Sequence, residues 1–501
     1  MADFMNMMAN NLNTGYTENG AKVYKSTNNA LVDINYFLSS LRTKPEVNII
    51  GYWTKAFYEN KELALRWLFF ARDAREGVGE RHVFRVIMRW LAKNETEIAR
   101  RLISIIPFFG RWDDICCLLR TPVEADVIAM IKNQLQADLD IVEGREEGNS
   151  ISLMAKWLPS INASGDTAKD GTIVRKGLGM SEKTYRKTLA KLRKYLDVVE
   201  VKMSAREWGG IKYESVPSIA NIRYTNAFKK HDDERRAKYL EALKAGKTKI
   251  NASVAFPHEI ISQMKHYGHA NDATFEEMWK ALPNRCKDGM SDTLVVCDGS
   301  GSMTWHTMEG SCVPLDVAYA MSIYFSEKMS GQFHDKFITF SANPQIVDLS
   351  RASSLREKIN ILQSHEDCTI TDLYKVFKLV LDTAIENHLS QEELPGRILI
   401  ITDGEFDSMC MSTDEYLFKT IEDAFNRNGY KIPKLIFWNV ANRSMTIPVK
   451  ENANGVALVS GFSPNIANMI MSEKTDPAEI LIDQIMDIRY AVVSQCLEGL
   501  L

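Results

Sequence analysis

Thr293-Leu294-Val295-Val296-Cys297-Asp298-Gly299-Ser300-Gly301-Ser302 decides how the C-terminal part of this chain folds. Its first five residues are apolar and β-branched with no polar alternation, the pattern of a strand buried on both faces of a parallel sheet. A carboxylate and two hydroxyls follow, spaced two apart on a backbone that glycines allow to turn sharply. In open α/β sheets, ligands bind beyond the carboxyl ends of the strands, where this loop is expected. Hard oxygen donors on a tight loop suit a small hard cation such as Mg²⁺, which keeps some waters and takes only a few protein oxygens. Taken singly, the Asp would be a helix cap and each Ser a turn former.

The same apolar logic marks further strands at 336–340, 345–348, 397–402, 435–440 and 456–460, with helices between them. From about Asp288 onward the alternation predicts a doubly wound, Rossmann-like α/β sheet, followed by a final apolar helix over 478–497. Thr371-Asp372 opens an amphipathic helix with Leu373, Val376, Phe377, Val380 and Ala384 at helical spacing. Residues 397–402 read as a central strand that ends in Asp403-Gly404.

Asp-Xaa-Ser-Gly-Ser at a strand end resembles the metal-ion-dependent adhesion site of von Willebrand factor A domains. The resemblance implies a ligand set of Asp298, Ser300, Ser302, Thr371 and Asp403, with Thr369 as the alternative if the loop register differs. The implied ion is Mg²⁺, or Mn²⁺ or Ca²⁺ in its place. No nucleophile stands beside a base, and no general base accompanies Asp298, so a metal-dependent hydrolase is disfavoured and no enzyme is expected. An open coordination position on such an ion could accept an acidic group of a partner. Trp305 and His306 are close enough in sequence to shape access to the loop, although Met303 to His306 also reads as a helix lead-in.

At 501 residues the chain is longer than a single core usually grows, so several domains are expected. With 45% hydrophobic and 25% charged residues, the composition is that of a globular protein. No stretch has the apolar length of a membrane span, and the first residues lack a signal-peptide pattern. The eight cysteines are scattered without a Cys-x-x-Cys pair, which predicts buried free thiols in a reducing cytoplasm rather than disulfides or zinc.

The net charge of −4 conceals an asymmetry. Residues 151–250 hold 22 Lys and Arg against 11 Asp and Glu, a local net of +11, so the rest of the chain carries −15. Such a sign asymmetry points to a polyanion-binding region. Lys183, Arg186, Lys187, Lys191, Arg193 and Lys194 recur mostly at three- and four-residue spacings on a predicted long helix over 183–203. Lys156 beside Trp157, Arg206 near Trp208, and Arg223 beside Tyr224 set cations next to aromatic rings; Lys202 adds to the set. Phosphate neutralisation with base stacking is how single strands are held without sequence readout. A solvated face of Lys paired with Glu and Asp is the simpler alternative.

Three organisational segments are expected: a polar arm over 1–29, poorly ordered or strand-like, a helical domain over 30–287 that contains the basic region, and the α/β domain over 288–501. Apolar helices are predicted around 63–70 and 83–90, separated by Gly77-Val78-Gly79, with a third over 98–106 that stops at Pro107 and Gly110. Residues 143–150 read as an exposed connection, 232–247 as a charged helix, and 251–280 as further helix. Helix pairs with short turns suggest an α-solenoid. Asp73, Arg75 and Arg111-Trp112-Asp113-Asp114 flank glycine turns, where caps and inter-helix ion pairs are expected.

Leu68–Arg81, Ile106–Asp114 and Lys156-Trp157-Leu158-Pro159-Ser160, with Tyr195-Leu196-Asp197 and Lys202-Met203-Ser204-Ala205, resemble the helical part of the Ro/TROVE group and its uncharacterised relatives, including proteins of large phages. In that group a ring of HEAT-like repeats is closed by an A domain. The resemblance implies binding of small non-coding or misfolded RNA on a basic face, entry of single-stranded ends into the ring, and a nuclease or other protein as a further partner through the A domain. The rival expectation is a protein-interaction scaffold whose A domain grips an acidic residue through Mg²⁺.

Overall fold

Strands without polar alternation need cover on both faces, and the chain from Thr293 onward supplies such a sheet. The structure is a computed structural model that describes residues 8, 12–18, 20, 22–148, 150–266, 271–286, 292–305, 312–366, 371–405, 415–448, 456–472, 474 and 476–500. Two short strands, β1 (Thr14–Tyr16) and β2 (Lys22–Tyr24), pair antiparallel near the start. Six more form one mixed sheet: β3 (Thr293–Asp298), β4 (Lys336–Phe340), β5 (Ile346–Asp348), β6 (Arg397–Thr402), β7 (Lys434–Asn439) and β8 (Val456–Ser460).

Their order across the sheet is β5-β4-β3-β6-β7-β8, with β5 antiparallel to β4 and every other pairing parallel. Every residue of β3, β6 and β8 is buried, as the apolar runs at their centres require. The edge strand β5 is only three residues long with its two outer residues exposed, which limits edge pairing. The chain leaves β3 toward β4 and β5, then crosses back to β6 on the other side of β3. This reversal is the topological switch point at which an open α/β sheet forms its crevice.

By compactness the chain divides into two units. The first contains Met1–Leu63, Ser218–Arg223 and Asn251–Met486; the second contains Ala64–Pro217, Tyr224–Ile250 and Asp487–Leu501. Compactness therefore partitions the chain differently from the division at 287/288 drawn on helix and strand pattern alone. In the first unit, Tyr24 exchanges backbone hydrogen bonds with Ile447 at 2.9 and 2.7 Å, which ties β2 to the loop after β7. The helix Ala30–Tyr36, capped by the Asn29 side chain, is held where Asn439 Nδ2 donates to Tyr36 O at 2.7 Å. The helix Pro314–Lys328 is buried from Pro314 to Ser326, which its apolar circumference demands.

The second unit is built mainly of helices, including His82–Asn94, Glu124–Val142 and Glu182–Tyr195. Its centre holds two buried acids. Asp114, fully buried, accepts from Arg72 at 2.6 and 2.8 Å and from Arg85 Nε at 2.7 Å, and forms an ion pair with Arg85 Nη2 at 2.6 Å. These cations hold its carboxyl below the usual range against the opposing effect of burial. Gly110 is required here, since a Cβ would lie 2.4 Å from Asp114 Oδ2. Asp73, also fully buried, receives the Arg489 guanidinium, with Nη2 at 3.0 Å from Oδ1, and the Tyr490 hydroxyl at 3.2 Å. The Tyr490 ring stacks on Phe109 at 5.6 Å.

Several local expectations need correction. The basic helix stops at Tyr195 and a separate turn of helix, Val199–Ser204, follows, because Asp197 adopts a left-handed conformation at φ 52°. The third helix ends at Leu102, and Pro107 lies in the first turn of the next short helix, Ile106–Phe109, where its missing N–H costs nothing. The charged helix starts where expected, at a kink where Asp232 is non-helical and an earlier helix from Ser218 ends, but it stops at Lys244 rather than 247. The last helix is broken: Pro477–Ile485 ends before Asp487, whose side chain caps Ile488–Tyr490, and Ala491–Cys496 follows. The six described cysteines are free, with Cys286 and Cys297 buried.

Candidate functional site

Asp298 is the last residue of β3 and is 1% exposed. Its two carboxylate oxygens are held separately. Ser300 N donates to Oδ1 at 2.9 Å, closing the loop on itself, and Thr402 Oγ1 donates to Oδ2 at 2.6 Å from the end of β6. The pairing of Cys297 with Ile401 in the parallel register sets the two strand ends level, so the hydroxyl of Thr402 reaches the acid of the neighbouring strand. Gly404 N in turn donates to Thr402 Oγ1 at 3.0 Å. Next in the chain is Asp403, 2% exposed, whose Oδ1 accepts from Glu405 N at 3.1 Å and which also bonds the Ser302 side chain. Ser300 Oγ and Ser302 Oγ lie 3.1 Å apart. Asp298, Ser300, Ser302 and Asp403 are thus joined by direct bonds or through one another.

Thr371 is 2% exposed and precedes Asp372, which caps the helix Leu373–Glu386 by accepting from Lys375 N at 3.2 Å. Thr369 and His306 lie outside the described residues.

Two buried carboxylates at adjacent strand ends repel each other. Burial first, and the Asp298 charge second, push the Asp403 carboxyl up to about 7. A divalent cation among these oxygens would offset that repulsion, and the mixture of carboxylates and hydroxyls is the hard-oxygen chemistry such an ion takes. The residues present therefore fit the group. Among the described residues no three His, Cys, Asp or Glu side chains cluster as a metal site.

Two residues escape sequence reasoning. Thr402 reads as strand filler, yet it orients Asp298. Glu405 is 3% exposed and accepts from Arg443 N at 2.9 Å, Ser444 N at 2.8 Å, Ser444 Oγ at 2.6 Å and Glu18 N at 3.1 Å, so it fixes the loop after β7. Nothing in the residue type separates it from a solvated Glu. The nearby Trp305 is 57% exposed, and the Arg443 guanidinium lies 4.3 Å from its ring centroid.

In the second unit, the helix Glu182–Tyr195 is capped by Ser181 and buries Tyr185, Leu189 and Leu192. The opposite face carries Lys183, Arg186, Lys187, Lys191 and Lys194, all exposed. Lys191 pairs with Glu143 at 2.6 Å. The other four have no acidic partner among the described residues. Arg193 points the other way and donates to Ala155 O at 2.8 Å, Leu158 O at 2.9 Å and Ser160 Oγ at 3.1 Å. Lys202 is committed to Asp197 and Gly210 O, both at 2.6 Å. Lys156 lies 5.5 Å from the Trp157 ring centroid, and Arg111 covers the same ring at 4.0 Å. Arg206 is exposed at φ 59°. Arg223 is also exposed and falls in the first unit.

The chain matches two family models. One, described as a domain of unknown function (DUF7788), covers residues 292–488; the other, also a domain of unknown function (DUF2828), covers 17–100 and 175–292. Their junction falls one residue before β3. An uncharacterised protein of Acanthamoeba polyphaga mimivirus, L728, is 29% identical over 94% of this chain and 87% of its own length. Among solved structures, the RO (RSR) protein of Deinococcus radiodurans aligns with 84% of this chain and 93% of its own at 13% identity, with a TM-score of 0.44.

Proposed function

We propose that this chain is a non-enzymatic RNA-binding protein of the Ro/TROVE kind, acting in the cytoplasm, with HEAT-like helices as its RNA-binding part and a von Willebrand factor A-like domain that holds Mg²⁺. One observation carries the RNA assignment. Lys183, Arg186, Lys187 and Lys194 form an outward row with no acidic partners among the described residues, whereas Lys191, Arg193 and Lys202 of the same region are tied to carbonyls or acids. A solvated salt-bridged face would pair these cations. A row left unpaired is what phosphate neutralisation uses. Among the described residues no helix is long and apolar enough to cross a membrane.

Asp298, Ser300, Ser302, Thr371 and Asp403 would hold the cation, which supplies an open coordination position for an acidic group. The chain's own residues prepare that position. Thr402 fixes one Asp298 oxygen, and the backbone of Ser300 fixes the other.

The test is direct. Protein purified without nuclease treatment is expected to carry RNA, seen as a raised ratio of absorbance at 260 to 280 nm, and sequencing that RNA identifies the ligand. Failure to bind a panel of labelled structured and single-stranded RNAs at about 50 mM salt would remove the proposal. The exposure of Trp305 beside the cation loop favours a second reading, an interaction scaffold that captures an acidic partner. Mg²⁺-dependent capture of an acidic peptide, lost in Asp298→Ala, by protein free of RNA would put that reading first.

A further inference from the structure

A small cleft of about 30 Å³ lies in the first unit, beyond the carboxyl ends of β7 and β8. Its walls come from Ser39, Ser40 and Lys44 on one side and Asn442, Arg443 and Phe462 on the other. Most of the polar groups in these walls are already spent. Ser39 Oγ is shared between Asn439 O at 3.2 Å and Ser460 Oγ at 2.9 Å. Asn442 uses both ends of its amide on Thr446, at 2.8 and 3.2 Å. The nearby Glu405 has its oxygens filled by backbone and hydroxyl donors.

What remains is a surplus of donors. Ser40, 4% exposed, has a buried Oγ with no hydrogen-bond partner among the described residues. Arg443 gives Nη2 to Glu18 at 3.0 Å, while its Nε and Nη1 are buried and likewise unmatched. Lys44 Nζ uses one N–H on Arg443 O at 2.9 Å and has two left. Among the described residues of the lining, Lys44 and Arg443 alone are charged, and both are cations. Buried donors left unmatched carry their full desolvation penalty. A ligand that only accepts hydrogen bonds and bears negative charge removes it, and charge-assisted bonds from Arg and Lys are the strong kind.

We infer that this cleft is an oxyanion site, in which Arg443, Lys44 and the Ser40 hydroxyl bind a phosphoryl or carboxylate group. It differs from the cation loop in donor type and is opposite to it in charge preference, although the face of the Arg443 guanidinium also lies against Trp305 beside that loop. It is also independent of the basic helix of the second unit.

Calorimetric titration of the full chain with inorganic phosphate and, separately, with acetate tests it. Ser40→Ala removes only an unmatched hydroxyl and should leave the fold intact; Lys44→Met removes a charge at a half-exposed position. Each is expected to weaken anion binding about tenfold, the size of one hydrogen bond to a charged ligand. Reversal of Lys183, Arg186, Lys187 and Lys194 to Glu should leave this binding in place. Preference for phosphate assigns the site to phosphoryl groups, and preference for acetate to carboxylates; either supports the inference. Absence of binding by both anions, or binding that neither substitution weakens, overturns it.

Discussion

The loop that ends β3 and the helix Glu182–Tyr195 treat charge in opposite ways. At the loop, Asp298 and Asp403 are buried together, and a lattice of hydroxyl and backbone donors holds them in place before any ion arrives. On the helix, four exposed cations have no acidic partner among the described residues. The first arrangement costs stability and confers geometry, since like charges must be desolvated side by side. The second costs little and confers reach, because exposed cations keep their side-chain freedom until a polyanion displaces counterions. A fixed site selects by shape and coordination, and a mobile row selects by charge.

The largest expected effect would break the mobile side of this contrast. Reversal of Lys183, Arg186, Lys187 and Lys194 to Glu should lower RNA affinity on the order of a thousandfold at about 0.1 M salt. The log–log salt slope should shrink by roughly 0.7 to 0.9 for each phosphate the variant no longer neutralises. Filter binding across a salt series measures both. Equal affinity and slope in the variant would mean that the helix is only a solvated surface.

Next in size is the fixed side. Asp298→Ala should abolish Mg²⁺ binding, and with it the stabilisation of about 2.7 kcal/mol that a ligand at a hundred times its Kd confers. Thermal melts with and without Mg²⁺ separate this from a folding defect, since the variant should melt cooperatively and ignore the ion.

Arg193→Ala sharpens the comparison inside the basic region itself. It removes three hydrogen bonds, to Ala155, Leu158 and Ser160, so urea unfolding should report about 2–3 kcal/mol of destabilisation. The salt slope of RNA binding should stay at the wild-type value, because this cation faces inward. A reduced slope in a folded variant would return Arg193 to the RNA-binding surface.

The smallest effect is the most specific. Thr402→Val keeps the shape of the strand end and removes only the hydroxyl that donates to Asp298 Oδ2. Mg²⁺ affinity should fall about tenfold, the lower end for an outer partner of a metal ligand. Calorimetric titration that finds no change would show that Asp298 is positioned by its own loop alone.

The sheet was largely legible because unbroken apolar runs have few other uses. All six of its strands begin and end within a residue of the predicted limits, including β3 and β6, which frame the candidate site. The helices were less so. A helical period continues through Tyr195 to Met203 in the sequence, but Asp197 turns left-handed and stops it, and no periodicity detects a single φ. The roles within the basic region were illegible for a related reason. Lys183 and Arg193 are equivalent by type and spacing, yet one faces water and the other three oxygens, and only long-range packing against residues 155–160 separates them. Thr402 and Glu405 stayed hidden because their partners are distant in sequence: Asp298 for one, Glu18 and Arg443 for the other.

The bond between Asp73 and Arg489 spans 416 positions of chain. A ribosome adding about 5 to 20 residues per second needs roughly 20 to 80 s to make the second partner after the first. Throughout that interval the helices around Asp73 exist with a carboxylate destined for a dry interior and no cation to meet it. Burying it early would be expensive, so the nascent helices should stay open and accessible to chaperones until the segment that carries Arg489 emerges. The order of synthesis thereby becomes part of how this protein reaches its fold.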